Sequence, residues 1–143
     1  MVVAVVSCII LLLCGAVVFA IAKDRGPGPD DVAVSYERAW DRLDFAALFV
    51  LSASELRDGL DRRGFVAAKR AAYADRSELR GLVENVVTDD VAVRGEHAIV
   101  TTRVELHDGG VVHNRVELVR RTSRWQVYGY AVAPAPAVTP GAD

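Results

Sequence analysis

The stretch His97-Ala-Ile-Val-Thr-Thr-Arg-Val-Glu-Leu-His107-Asp-Gly-Gly-Val111-Val-His-Asn-Arg-Val-Glu-Leu-Val-Arg-Arg121 decides the fold. Apolar and polar residues alternate on both sides of Asp108-Gly109-Gly110, and β-branched residues are frequent, the pattern of two half-buried strands joined by a turn. A three-residue loop at Asp108, Gly109 and Gly110 suits a type I turn closed by a glycine in the left-handed region. That loop pairs His107 with Val111, and so sets Leu106 opposite Val112, Thr102 opposite Val116 and Val100 opposite Leu118. All of these share one face. A two-residue loop would set Glu105 against Val112 and mix the faces. The other face carries His97, Thr101, Arg103, Glu105 and His107, with His113, Arg115 and Glu117 on the neighbouring strand. One side of the hairpin is therefore predicted to be buried and the other wet.

Working outward, the same two-residue period continues in Leu82–Arg94 and Arg124–Val132, which predicts a meander of four strands. Towards the N-terminus the period becomes helical. Arg25-Gly-Pro-Gly-Pro29 reads as a helix-breaking linker, with Asp30 and Asp31 able to cap the helix after it. Val32, Tyr36, Ala39, Trp40 and Leu43 then define one apolar helical face. Asp44 is a predicted N-cap for a short helix over Phe45–Leu51. Ser52-Ala53-Ser54-Glu55 reads as a capping box for a third helix through Leu56 and Leu60, stopped at Gly64. Phe65, Ala68, Ala72 and Tyr73 mark a fourth. The predicted class is α+β: an α+β roll, with helices packed on a curved four-stranded antiparallel sheet over residues 31–133. The Pro/Ala-rich residues 134–143 read as a frayed tail.

Met1–Ala22 is a different material, uncharged and without proline. As a helix it would span about 33 Å, enough to cross a hydrocarbon core. Ala20-Ile21-Ala22 fits a signal-peptidase pattern, but the basic n-region is missing and the apolar run is long, so an uncleaved anchor is expected. A lipoprotein signal fits worse, because leucines rather than a small residue precede Cys14. Residues 23–30 form the linker. Lys23 and Arg25, read by the positive-inside rule, argue for a cytoplasmic domain.

The chain has 17 Lys and Arg, 19 Asp and Glu and a formal net charge of −2, well mixed along its length. No basic stripe exists to neutralise phosphates, so a nucleic-acid partner is not expected. Both cysteines, Cys8 and Cys14, fall in the apolar segment, which excludes thiol chemistry or a structural disulfide in the domain.

With the elements placed, their order resembles the nuclear transport factor 2-like superfamily, a cystatin-like cone. The resembling segments are Tyr36-Glu-Arg-Ala-Trp40-Asp-Arg-Leu43-Asp44-Phe-Ala-Ala-Leu48 and the closing strand Arg124-Trp125-Gln-Val-Tyr128, within residues 32–132. The chain looks most like an uncharacterised bacterial branch in which one transmembrane helix tethers the cone, usually outside the cytoplasm. The resemblance implies an apolar pocket between sheet and helices. It implies no reaction, because this fold hosts isomerases, dehydratases, carriers and interaction domains.

Enzymes of the superfamily place an Asp or His base inside the cone, often opposite a Tyr. Here Asp44 is best used as an N-cap, Asp41 is expected on a solvated face beside Arg42, and no His faces the helices. Thr102 and Asn114 are the polar side chains expected on the inner face, and neither is a base at neutral pH. The expectation is therefore a non-enzyme without metal or cofactor. Tyr36, Trp40, Thr102, Asn114 and Trp125 are the candidate pocket residues. Cross-strand His113, Glu105 and His107 make a weak metal reading, disfavoured by Arg103 and Arg115 placed opposite one another. The expected partners are the membrane through residues 1–22, a protein or small apolar ligand, and a second copy through the wet sheet face.

Overall fold

The computed structural model describes residues 26–134. The predicted membrane segment, both cysteines and most of the predicted tail lie outside the described residues. Among those described, no helix is long and apolar enough to cross a membrane.

Helix α1, Pro29–Asp41, starts three residues before the first apolar position, because Pro29 is preset for a first helical turn and Asp31 accepts from the Gly28 N–H at 3.4 Å. The linker thus ends inside the helix. At the other end, Asp44 N–H bonds Ala39 C=O at 2.9 Å and Leu43 N–H bonds Trp40 C=O at 3.0 Å, a Schellman closure with Leu43 in the left-handed region (φ 51°). Helix α2, Phe45–Leu51, is capped as expected: the Asp44 carboxylate accepts from Ala47 N–H at 3.0 Å.

The predicted capping box does not form. Ser52 is buried and bridges to Val127 of the sheet, and Ala53 N–H bonds Val127 C=O at 2.7 Å. A backbone committed to the sheet cannot open a helix there, so the chain makes only a 3-10 turn at Ser54–Leu56. Gly64 is no helix stop either. It sits in the first turn of α3, Arg62–Ala72, where the Asp61 carboxylate accepts its N–H at 2.7 Å.

Strands β1 (Val83–Arg94), β2 (His97–Leu106), β3 (Val111–Arg121) and β4 (Arg124–Val132) form an open antiparallel sheet in chain order. The predicted faces hold but the predicted pairing is offset by two residues. Gly109 N–H bonds Leu106 C=O and Leu106 N–H bonds Gly110 C=O, so the three-residue loop is His107–Gly109, one residue earlier than expected. Gly109, at φ 88°, takes the left-handed position that closes such a loop. Each residue therefore meets a partner two places away from the expected one, with the parity unchanged. Thr102 faces Asn114 rather than Val116, Val100 faces Val116, and Arg103 faces His113 rather than Arg115.

On the buried face, Val100, Val116, Leu118 and Val127 are fully enclosed under Ala33, Tyr36, Phe45 and Leu48. On the wet face, Arg103 pairs with Glu105 at 2.7 Å and Arg115 with Glu117 at 2.9 Å, each along its own strand rather than diagonally. A bulge between Thr88 and Asp90 of β1 brings Asp89 to Arg103 (3.2 Å) and to His113 (3.5 Å). Among the described residues, no group of three or more His, Cys, Asp or Glu converges as metal ligands would.

Candidate functional site

The offset pairing has a chemical consequence. Thr102 and Asn114 become direct neighbours on the inner face, both buried, beneath the middle of α1. The residue α1 sets over them is Glu37, only 4 % exposed. The Thr102 hydroxyl donates to Glu37 Oε1 at 2.7 Å, and Asn114 Nδ2 donates to the same oxygen at 3.0 Å. From β4, the Tyr130 hydroxyl donates to Glu37 Oε2 at 2.8 Å and itself accepts from Asn114 Nδ2 at 2.8 Å. The ring closes on itself.

Every donor in this ring points in a sense that suits an acceptor-only carboxylate. Among the described residues no Lys, Arg or His forms an ion pair with Glu37, so neutral dipoles hold it. A carboxylate taken out of water needs such partners, since an unpaired buried polar group costs several times what a made hydrogen bond gains. Partial burial of a residue that is 39 % exposed, then the negative charge of Glu37, pushes the Tyr130 phenol above its ordinary value of 10.0. The phenol stays neutral and donating. Tyr36, packed on Tyr130 with ring centroids 5.4 Å apart, is also pushed up from 10.0, chiefly by burial.

Of the five predicted pocket residues, Tyr36, Thr102 and Asn114 gather around this ring. Trp40 lies on the far side of Tyr36 (6.4 Å between rings) and belongs to an aromatic cluster with Phe45 and Tyr73. Its Nε1–H is buried and finds no hydrogen-bond partner among the described residues. Trp125 stands apart, at a rim cleft of about 420 Å³ that it lines with Gly26, Pro27, Val32, Leu51 and Gln126. Glu37 and Tyr130 are the members that sequence periodicity missed. Asp41 is also corrected: its carboxylate accepts the Val83 N–H at 2.9 Å and its carbonyl accepts the Gly81 N–H at 2.9 Å, so it fixes the start of β1.

No protein-family model matches the chain, and no curated protein matches it. Solved structures do. A candidate NTF2-like transpeptidase from Campylobacter jejuni is similar with a TM-score of 0.55 and 15 % identity, over 71 % of this chain and 97 % of that one. A SEC-C motif-containing protein from Rhodopseudomonas palustris gives 0.54 and 18 %, over 74 % and 79 %. An NTF2-like protein of unknown function from Silicibacter pomeroyi gives 0.47 and 16 %, over 71 % and 90 %. At such identities the likenesses above a TM-score of 0.5 speak for the fold alone, and by the Campylobacter structure that fold is NTF2-like.

Proposed function

We propose that the chain is a single-pass membrane-anchored cone domain that acts without catalysis as a binding module at the cell envelope. The observation that carries this reading is the ring around Glu37. Thr102, Asn114 and Tyr130 spend their donors on one another and on the carboxylate, so the sheet–helix interior is occupied by the protein's own groups. A domain built this way offers its surfaces to partners rather than its interior to a substrate. The wet sheet face, with its Arg103–Glu105 and Arg115–Glu117 pairs, is the surface assigned to a second copy. Opposite charges alternate there along each strand, so two antiparallel copies can meet with each Arg against a Glu.

The anchor reading rests on the apolar Met1–Ala22. The resemblance to tethered cones favours a domain outside the cytoplasm, although Lys23 and Arg25 pull the other way. Protease added to intact cells tests it: cleavage of the domain is expected, and full protection would move the site of action to the cytoplasm.

A second reading is favoured by one contact, the 2.8 Å bond between Tyr130 and Glu37. A carboxylate beside a phenol is an acid/base couple of the kind that Thr102 and Asn114 cannot supply alone, so an isomerase or dehydratase stands as the runner-up. It needs the ring to open. Turnover of a small carbonyl compound that Glu37→Gln abolishes in a folded protein would promote it over the binding reading.

A further inference from the structure

The rim cleft at Trp125 is where the described chain begins, since Gly26 and Pro27 form part of its wall. Lys23, Asp24 and Arg25 alone separate Gly26 from the apolar segment ending at Ala22. A trans chain advances at most about 3.6 Å per residue, so Gly26 lies within about 14 Å of Ala22. With the anchor in the bilayer, this end of the domain is held within about 14 Å of the segment's end, close to the headgroup layer.

The cleft has the chemistry of that zone. Val50 is 50 % exposed beside it, Leu51 and Trp125 line it, and a tryptophan suits an interface where one edge is apolar and the other wet. Over the cleft stands the β3–β4 hairpin tip, Arg120-Arg121-Thr122-Ser123-Arg124-Trp125. Thr122 and Ser123 hold φ of 51° and 63° there, strained for non-glycine residues, and strain of this kind collects at functional surfaces. Arg120 is taken up by Glu96 and Arg121 by Glu55, which leaves Arg124 as the tip's unpaired arginine among the described residues. Its free guanidinium gives this end a positive charge that complements anionic headgroups.

We propose that this cleft and the hairpin tip rest on the membrane surface, with Trp125 in the headgroup region and Arg124 on anionic lipid. The contact rests on the anchor reading above, and fixes which way the tethered domain faces: the rim down, the wet sheet face free at the side.

The test uses the full chain reconstituted into phosphatidylcholine–phosphatidylglycerol vesicles, with and without acyl-chain bromination close to the headgroup. Tryptophan emission is expected to be quenched by the brominated lipid. Trp125→Phe should lose that quenching, because the remaining Trp40 lies in the core cluster. The exposed Arg124→Glu, which leaves the core untouched, should weaken it in anionic vesicles and not in neutral ones. A chain that floats with the vesicles but whose Trp125 is unquenched overturns the proposal while leaving the anchor standing. Access of acrylamide to Trp125 would then mean a bare cleft, and shielding from it would mean a covering protein. A chain that fails to float with the vesicles overturns the anchor and this contact together.

Discussion

Glu37 comes directly after Tyr36 on α1, one position off the apolar stripe of Val32, Tyr36, Ala39 and Trp40, and periodicity alone assigns such a residue to water. Two signals could have placed it inside. Ala33, one turn earlier, is a small residue that lets the helix approach the sheet, and it is fully buried. Thr102 and Asn114 are polar at inward positions and require a partner from the helix layer. Removing that partner strands three donors. Glu37→Ala is expected to cost about 2–4 kcal/mol in urea unfolding, against about 1–2 for Glu37→Gln, which keeps one acceptor. Equal costs for the two would mean that the ring does not hold the interior. The raised Tyr130 phenol predicts an alkaline limb. Below the ordinary value of 10.0 the phenol is neutral in both folded and unfolded chains, so it adds no slope there. Above it the unfolded chain releases its proton first, and stability falls as pH rises. Tyr130→Phe should flatten that fall; an unchanged slope would contradict the hydrogen-bonded placement.

At the scale of elements, alternation found the strands almost to the residue, since one buried face leaves little freedom in parity. Pairing was harder to read. Asp108-Gly109-Gly110 offers two glycines, and the one that takes the left-handed position is Gly109, which shifts the loop back by one residue. Gly109→Ala should therefore cost about 1 kcal/mol, whereas a loop built on Gly110 would tolerate it. Ser52-Ala53-Ser54-Glu55 misled because a capping box is a local signal, and the long-range bridge from Ser52 to Val127 overrides it. Glu55, freed from that role, binds Arg121 of the hairpin tip, whose side-chain hydrogen bonds hold its carboxyl down at about 2. The group favours the fold above its ordinary 4.5, and that contribution fades as pH falls from 4.5 towards 2. Glu55→Gln should reduce the acid sensitivity over this window in low salt, and high salt should mask the difference. At the strained tip, replacing Thr122-Ser123 by Asn-Gly should raise stability by about 1 kcal/mol, because those residues accept positive φ.

For the whole molecule, the order of elements made the class legible: helices first, then a meander with one apolar face. The interior was not legible, because whether a cone is hollow depends on how closely α1 lies on the sheet, and no local pattern reports that distance. The ring of Glu37, Thr102, Asn114 and Tyr130 takes up part of the space between α1 and the sheet, while the cleft lined by Val32, Leu51 and Trp125 stays open at the rim. The self-satisfied ring is the ground for proposing a module that works through its surfaces. The most direct measurement is a native mass spectrum of the full chain released from detergent. The account predicts the bare polypeptide mass, alone or doubled. A small molecule that travels with the wild-type chain and is lost from Glu37→Gln would contradict it.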